Sequence, residues 1–156
     1  ETLMPAVVIR DSASKALCAH VIPGKGLDYD WTAQQVAADI GRMGYPRVVL
    51  RSDQEPAITA MVDRVKAIRD EQGKETDIEW APKYDSDANG HAERGVQAAE
   101  GMLRTLKFEL ENKIGGRIPS DHPMVAWMTR HSADLITKLE IKQNGKTSYE
   151  MLKGRP

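Results

Sequence analysis

The stretch Arg47-Val-Val-Leu-Arg-Ser-Asp53 decides the fold class, because it is a short apolar run that stops at an acidic residue. Its centre, residues 48–50, is typical of a buried strand. Pro56 then suits the first turn of a helix, where the missing N–H of proline is no loss. A strand that passes through an aspartate into a helix is a building unit of mixed α/β proteins.

The segments on both sides continue this alternation of strands and helices. Apolar runs between turn residues predict strands over 4–10, 15–22, 48–50 and 78–80. Apolar residues at three- and four-residue spacing predict helices over 32–43, from Pro56 to near Gly73, from the end of the polar loop 83–91 to Gly115-Gly116, and over 123–139. This order predicts an α/β fold in which helices flank a mixed sheet.

The two long C-terminal helices carry apolar stripes. In the first helix the stripe is Ala92, Val96, Ala99, Leu103, Leu106 and Leu110. Glu93 borders that stripe, so we expect its carboxylate to be partly buried near the helix start and not on the solvated face. In the second helix we expect an inward face made of Met124, Trp127, Met128, His131, Leu135 and Leu139.

Composition limits the classes of function. The formal net charge of −1 over 156 residues argues against a polycation that coats nucleic acid, so any DNA affinity must come from local placement of charge. Cys18 is the only cysteine, and it cannot form an internal disulfide. The sequence has neither an apolar run long enough for a bilayer nor a signal-peptide pattern at its start, so we expect a soluble intracellular domain without membrane partners.

Asp53 and Glu93 are the candidate chemical residues, although each alone has a structural explanation. An aspartate before a proline-started helix often caps that helix, and a glutamate in a first turn often stabilises the helix dipole. Together they suggest a site, because sites in mixed α/β folds gather at the carboxyl ends of strands. Such carboxylates hold paired divalent ions for phosphodiester chemistry, and hard oxygen ligands favour Mg²⁺ or Mn²⁺ over zinc.

The motifs around these two acids resemble the catalytic core of retroviral and retrotransposon integrases, and most closely the copia-like branch. Arg51-Ser-Asp53 matches the strand end that carries the family's second catalytic aspartate. Asn89-Gly-His-Ala-Glu93-Arg94 matches the motif of its catalytic glutamate. Met102-Leu-Arg-Thr105 and the ending Thr147-Ser-Tyr-Glu-Met-Leu-Lys-Gly154 are also similar, so the resemblance covers nearly the whole chain. It implies an RNase H-like fold.

The chain departs from this family pattern at its start. In such cores the first catalytic aspartate lies on an opening strand, upstream of the strand that carries a pattern like Val8-Ile-Arg-Asp-Ser-Ala-Ser14. We therefore expect residues 1–156 to be a single, partial core domain that lacks the family's first strand, its zinc-binding N-terminal region and its DNA-binding C-terminal region. Asp11 is the nearby substitute for the missing aspartate, but turn chemistry favours a role in a hairpin turn with Ser12 and Ser14.

The resemblance implies an integrase-type polynucleotidyl transferase that uses Mg²⁺ or Mn²⁺ for 3′-end processing and DNA strand transfer in a retrotransposon. Asp53 and Glu93 would be catalytic and metal-binding, with Asp11 as a less favoured third ligand. The partners would be element and target DNA and further integrase protomers, in the nucleus for a eukaryotic element. Residues expected to contact DNA are Lys83, Asn89, Gly90, Arg94, Arg104 and Lys107.

The sequence leaves two alternatives open, so it does not decide whether the chain is an enzyme. The first is a catalytically silent DNA-binding or assembly module derived from such an element, which the missing aspartate and the near-neutral charge favour. The second is an RNase H-like nuclease without strand transfer.

Overall fold

The computed structural model describes residues 5–22, 29–82 and 90–155. In these ranges the chain forms four strands and five helices. The strands are β1 (Ala6–Arg10), β2 (Leu17–Val21), β3 (Arg47–Ser52) and β4 (Glu75–Trp80). The helices are α1 (Tyr29–Met43), α2 (Pro56–Glu71), α3 (Gly90–Ile114), α4 (Pro123–Leu139) and α5 (Ser148–Lys153). They divide into two compact units, Glu1–Gly24 with His91–Pro156, and Lys25–Gly90.

The first unit is built on the hairpin of β1 and β2. These strands pair antiparallel, with Ala6 opposite Val21 and Arg10 opposite Leu17. Helix α4 packs against β2. Two apolar clusters form the core of this unit. One contains Leu17, Ala19, Ala133 and Ile136, and the other contains Leu103, Ile118, Val125 and Met128.

The second unit is a parallel pair of strands with two helices. Strands β3 and β4 run in the same direction, from Arg47 opposite Glu75 to Ser52 opposite Trp80. Helix α2 makes the crossover between them, as a parallel pair requires, and α1 packs against α2. Most apolar residues at helical spacing in α1 and α2 are core residues, whereas Ile58 and Ile68 are half-buried. Ala33, Val36, Ala37, Ile40, Met43, Met61, Val62 and Val65 are all buried.

A buried arginine joins α2 to β4 in this unit. The Arg69 side chain is fully buried, its Nε donates to the Thr76 hydroxyl at 2.8 Å, and its Nη2 donates to the Tyr45 carbonyl at 3.4 Å. Burial lowers the pKa of this guanidinium, because a dry environment disfavours its charge. The arginine thus fixes the amino-terminal end of the parallel pair, at the opposite end from Asp53.

Each predicted strand and helix is present, and the α/β fold class with small sheets flanked by helices is confirmed. Helix α5 was not predicted. This helix has six residues and a cap at each end. The Thr147 side chain accepts a hydrogen bond from the Glu150 amide at its start, and Gly154 adopts a left-handed conformation after its last turn. In the described ranges, no helix is both long enough and apolar enough to cross a bilayer.

The predicted inward face of α4 is wrong by about one position. Of that set Met128 is buried, whereas Trp127 is 57% exposed and Leu139 is 68% exposed. The buried face of the helix shares only Met128 with that set, and it consists of Val125, Met128, Thr129, Ser132, Ala133, Ile136 and Thr137. Their hydroxyls tolerate burial because each bonds to a backbone carbonyl: Thr129 donates to Val125 at 2.8 Å and Ser132 donates to Met128 at 2.7 Å. Outside this face the rings of Trp127 and His131 stack at 4.6 Å.

An apolar groove of about 250 Å³ lies along β1 in the first unit. Ala6 and Val8, two positions apart on one face of the strand, line one side of it. Helices α3 and α4 supply the other side, with Val96, Ala99, Leu103 and Val125. In the part of the chain that the structure describes, β2 is the strand paired with β1.

Candidate active site

Asp53 directly follows the last residue of β3, at the carboxyl end of the parallel pair. The Ala81 amide donates to the Ser52 carbonyl at 2.9 Å, so the two strands remain joined up to this point. The Gln54 side-chain amide donates to the Ala81 carbonyl at 3.3 Å. The Asp53 side chain is half-buried. This is the edge at which mixed α/β folds place their sites.

The interpretation of Asp53 as the cap of α2 is wrong. The N-cap residue is Glu55, with φ −70° and ψ 136°, and Pro56 begins the helix. Because proline has no N–H, the first turn of α2 has one donor fewer to satisfy. The structural explanation that competed with a chemical role for Asp53 therefore does not hold.

Glu93 lies in the first turn of α3 and is exposed, which corrects the expectation of partial burial. The buried line on this helix passes through Gly95, Ala99 and Leu103, whereas Val96 is 38% exposed. Glu93 is two residues from Gly95, which places it about 200° around the helix from that line. In the described ranges its carboxylate forms neither a hydrogen bond nor an ion pair.

The start of α3 is held against the hairpin by a close approach at Gly95. A Cβ at this position would lie 3.0 Å from Leu17 Cδ2 and 3.2 Å from Arg10 Cδ, so a larger residue would require these side chains to shift. Arg10 also donates from Nη1 to the His91 carbonyl at 3.0 Å. Residues of β1 and β2 thus fix the helical turn that presents Glu93.

His91 lies among positive charges at this helix start. The Lys15 ammonium is 3.5 Å from His91 Nε2. Burial lowers the pKa of the His91 imidazole, and the charges of Arg10, Lys15 and Arg94 lower it further, against the opposing effect of Asp11. The imidazole is therefore held towards its neutral form.

Asp11 has the structural role that turn chemistry predicted. Its carboxylate accepts hydrogen bonds from the Ser14 amide at 3.1 Å and from the Ala13 amide at 3.4 Å. It also accepts from the Ser14 hydroxyl, and Ser14 is buried. The Asp11 backbone closes the turn through bonds to Lys15 and Ala16.

The two motif acids have the donor chemistry that suits a hard divalent ion. Asp53 and Glu93 offer carboxylate oxygens, the ligands that Mg²⁺ and Mn²⁺ prefer. They belong to different compact units, so their convergence stays a prediction. Within 5–22, 29–82 and 90–155, no group of three or more His, Cys, Asp or Glu side chains is arranged to hold a metal.

The residues expected to contact DNA differ in their surroundings. Arg94 is exposed beside Glu93 on α3, and Gly90 is the first residue of that helix. Arg104 lies 3.7 Å from Glu100 and Lys107 lies 3.6 Å from Glu111, so both of these cations already have an acidic neighbour. The other two predicted contacts, Lys83 and Asn89, lie outside the described residues.

Sequence reasoning did not identify Arg10 and Lys15 as residues of this region. Lys15 carries a weak sequence signal, since it comes directly after four turn residues. In the structure it adopts φ 63°, a left-handed conformation unusual for lysine. Arg10 carries none, because a charged residue at the end of an apolar strand is usually a solvated one.

Comparisons with known proteins show the fold. Neither protein-family models nor curated proteins give a match. Among solved structures, the catalytic core domain of BIV integrase is similar at a TM-score of 0.59 with 21% identity, over 97% of this chain and 88% of that one. A simian T-cell lymphotropic virus intasome, solved with a PP2A regulatory subunit, is similar at a TM-score of 0.64 with 17% identity, over 95% of this chain and 48% of that one. The chain therefore has the fold of retroviral integrase catalytic cores, as the sequence motifs predicted.

Proposed function

We propose that this chain is the catalytic core of an integrase-type polynucleotidyl transferase, and that it comes from a retrotransposon of the copia-like branch. The observation that carries the proposal is the position of the two motif acids on this fold. Asp53 directly follows the parallel strand β3, and Glu93 stands exposed in the first turn of α3. Glu55 holds the N-cap position of α2, so capping of that helix does not explain Asp53, and Glu93 has the first-turn position at which an acid also stabilises the helix dipole.

In the proposed reaction Asp53 and Glu93 hold divalent ions, Mg²⁺ or Mn²⁺. When bound, such ions lower the pKa of an attacking water or hydroxyl and stabilise the leaving oxygen. The same two carboxylates serve 3′-end processing of element DNA and strand transfer into a target phosphodiester. The protein's partners are element and target DNA and other integrase protomers, and its place is the nucleus if the element is eukaryotic.

A metal titration tests the proposal. Calorimetry with Mn²⁺ should show binding that either Asp53→Asn or Glu93→Gln removes, because each variant deletes an ionised ligand. Two acids offer matched controls. Asp63 is exposed on α2, Glu109 is exposed on α3, and in the described residues neither forms a hydrogen bond or an ion pair. Asp63→Asn and Glu109→Gln should bind as the original chain does.

A silent DNA-binding or assembly module is the second candidate, and one observation favours it. Asp11 accepts its hydrogen bonds within the hairpin turn, and no described cluster supplies a third metal ligand. A chain that binds DNA but shows no Mn²⁺ binding in the titration would establish this candidate. Metal-dependent cleavage of an RNA–DNA hybrid without joining of DNA ends would instead establish a nuclease.

A further inference from the structure

Three cations, two on the hairpin and one on the helix, belong to the region where α3 begins. Arg10 ends β1, Lys15 lies in the hairpin turn, and Arg94 comes directly after Glu93 on the helix. Arg10 reaches the His91 carbonyl at 3.0 Å, and the Lys15 ammonium reaches His91 Nε2 at 3.5 Å. Both hairpin cations therefore contact His91, and Arg94 lies three residues further along the same helix.

Arg94 differs from Arg104 and Lys107 on the same helix because it has no acidic partner in the described residues. Arg104 and Lys107 each lie near a glutamate one turn away. In the described part of the chain, Arg10, Lys15 and Arg94 form no ion pair, and Arg94 is exposed. The Asp11 carboxylate, although close in sequence, accepts hydrogen bonds from Ser14 and the Ala13 amide.

Lys15 has an unusual backbone conformation in the hairpin turn. Its φ of 63° makes it the one non-glycine residue with a positive φ within 5–22, 29–82 and 90–155. Glycine adopts this conformation freely, whereas a side chain with a Cβ is disfavoured there. The lysine ammonium donates to the Ser12 carbonyl at 2.7 Å, which directs it across the turn. Strained residues of this kind concentrate at functional sites.

We propose that Arg10, Lys15 and Arg94 bind a phosphate of the DNA backbone beside Glu93. The inference rests on the proposed function, because it places DNA at the carboxylate whose chemistry acts on a phosphodiester. Unpaired guanidinium and ammonium groups are the usual donors to phosphate oxygens, and guanidinium offers two parallel N–H groups. The hairpin turn thus becomes part of the DNA-binding surface, together with the helix.

The salt dependence of DNA binding tests this site without any metal. Fluorescence anisotropy in EDTA would measure binding to two short DNA duplexes of unrelated sequence between about 50 and 200 mM salt. In a plot of the logarithm of the binding constant against the logarithm of the salt concentration, each phosphate contact contributes a slope of about −0.9. The variant Lys15→Gln/Arg94→Gln should make the slope shallower by about 0.9, equally for both duplexes. Arg130→Gln, which removes an exposed arginine from α4, should leave it unchanged.

A second variant separates binding from folding. Lys15→Gly removes the ammonium and also relieves the left-handed strain, so it should melt at the same temperature as the original chain or higher, yet bind both duplexes more weakly. Lys15→Arg should retain the affinity because it keeps the charge.

The proposal is overturned if the double variant keeps the original slope, if Arg130→Gln weakens binding equally, or if the original chain does not bind DNA. It is also overturned if Lys15→Gly binds as tightly as the original chain, or if the loss is confined to one duplex. Failure here would leave metal binding by Asp53 and Glu93 untouched. Conversely, a chain without metal affinity would still show the slope change.

Discussion

Two aspartates in this molecule each come directly after a strand, and the structure uses them in opposite ways. Asp11 comes after β1, where its carboxylate accepts hydrogen bonds from two backbone amides and a buried serine. Asp53 comes after β3, where Glu55 takes the position that caps the next helix. The role of a strand-end aspartate therefore depends on the next segment of the chain, a tight turn in one case and a crossover helix in the other.

Metal affinity should separate the two aspartates most strongly. We expect Asp53→Asn to weaken Mn²⁺ binding by at least roughly tenfold. Loss of a residue that only supports a metal ligand already costs about that much affinity, and Asp53 is proposed to be a ligand itself. Asp11→Asn should leave the affinity unchanged, because its carboxylate serves the turn. Calorimetry on both variants measures this difference. Equal losses would make Asp11 a third ligand and end the distinction.

The hairpin beside Asp11 should also be sensitive to its contact with α3. Gly95→Ala places a Cβ 3.0 Å from Cδ2 of the buried Leu17, so that side chain must shift by a few tenths of an ångström, and this offsets part of the gain in helix propensity. Gly101→Ala on the same helix meets no atom within 4 Å, and there the better helix propensity of alanine should stabilise by about 1 kcal/mol. Urea unfolding of both variants gives the comparison. Equal stabilities would show that the helix does not lie so close to the hairpin.

A smaller effect on stability should distinguish the aspartates again. Asp11→Asn weakens the contacts to the Ser14 and Ala13 amides, and we expect the free energy of unfolding to fall by at most about 1 kcal/mol. Asp53→Asn should change it less, since Glu55 and not Asp53 holds the N-cap position of α2. Thermal melts of the metal-free variants are the measurement. A larger loss from Asp53→Asn would indicate a structural role at the end of β3.

The smallest predicted effect concerns pH. The pKa of His91 is lowered in the folded chain, so as the pH falls below about 6.5 the unfolded chain binds the proton first. This contribution to stability is therefore complete above that pH and is lost as the pH decreases towards the folded pKa. In metal-free buffer, His91→Gln should make the unfolding free energy less dependent on pH in this range. An unchanged pH profile would mean that neither burial nor the neighbouring cations lower the pKa of His91 in the folded chain.

Local patterns in the sequence predicted most of the fold. The period of α1 gave its buried residues, and the run 48–50 gave the strand that ends at Asp53. The small polar residues around Asp11 predicted the hairpin turn. These features depend on residues that are close in sequence, so a single sequence is enough to predict them.

The sequence-based predictions are wrong where contacts between distant segments determine which side chains are exposed. Glu93 is exposed because α3 turns Gly95 towards Leu17, a close approach that an apolar stripe cannot reveal. Trp127 is exposed because buried threonine and serine hydroxyls bond to carbonyls and replace apolar residues on the inward face of α4. Lys15 is brought to His91, at the start of α3, by tertiary structure alone.

The central claim is that Asp53 and Glu93 share one divalent ion, and paramagnetic broadening by Mn²⁺ tests it most directly. In isotope-labelled protein, substoichiometric Mn²⁺ should weaken the amide signals of Asp53 and Gln54 and those of Ala92 to Arg94 together, because relaxation depends steeply on distance to the ion. Both groups of signals should disappear at the same Mn²⁺ concentration, and Glu93→Gln should protect both. If only one group broadens, or if the two respond at different concentrations, the carboxylates do not share an ion and the claim is contradicted.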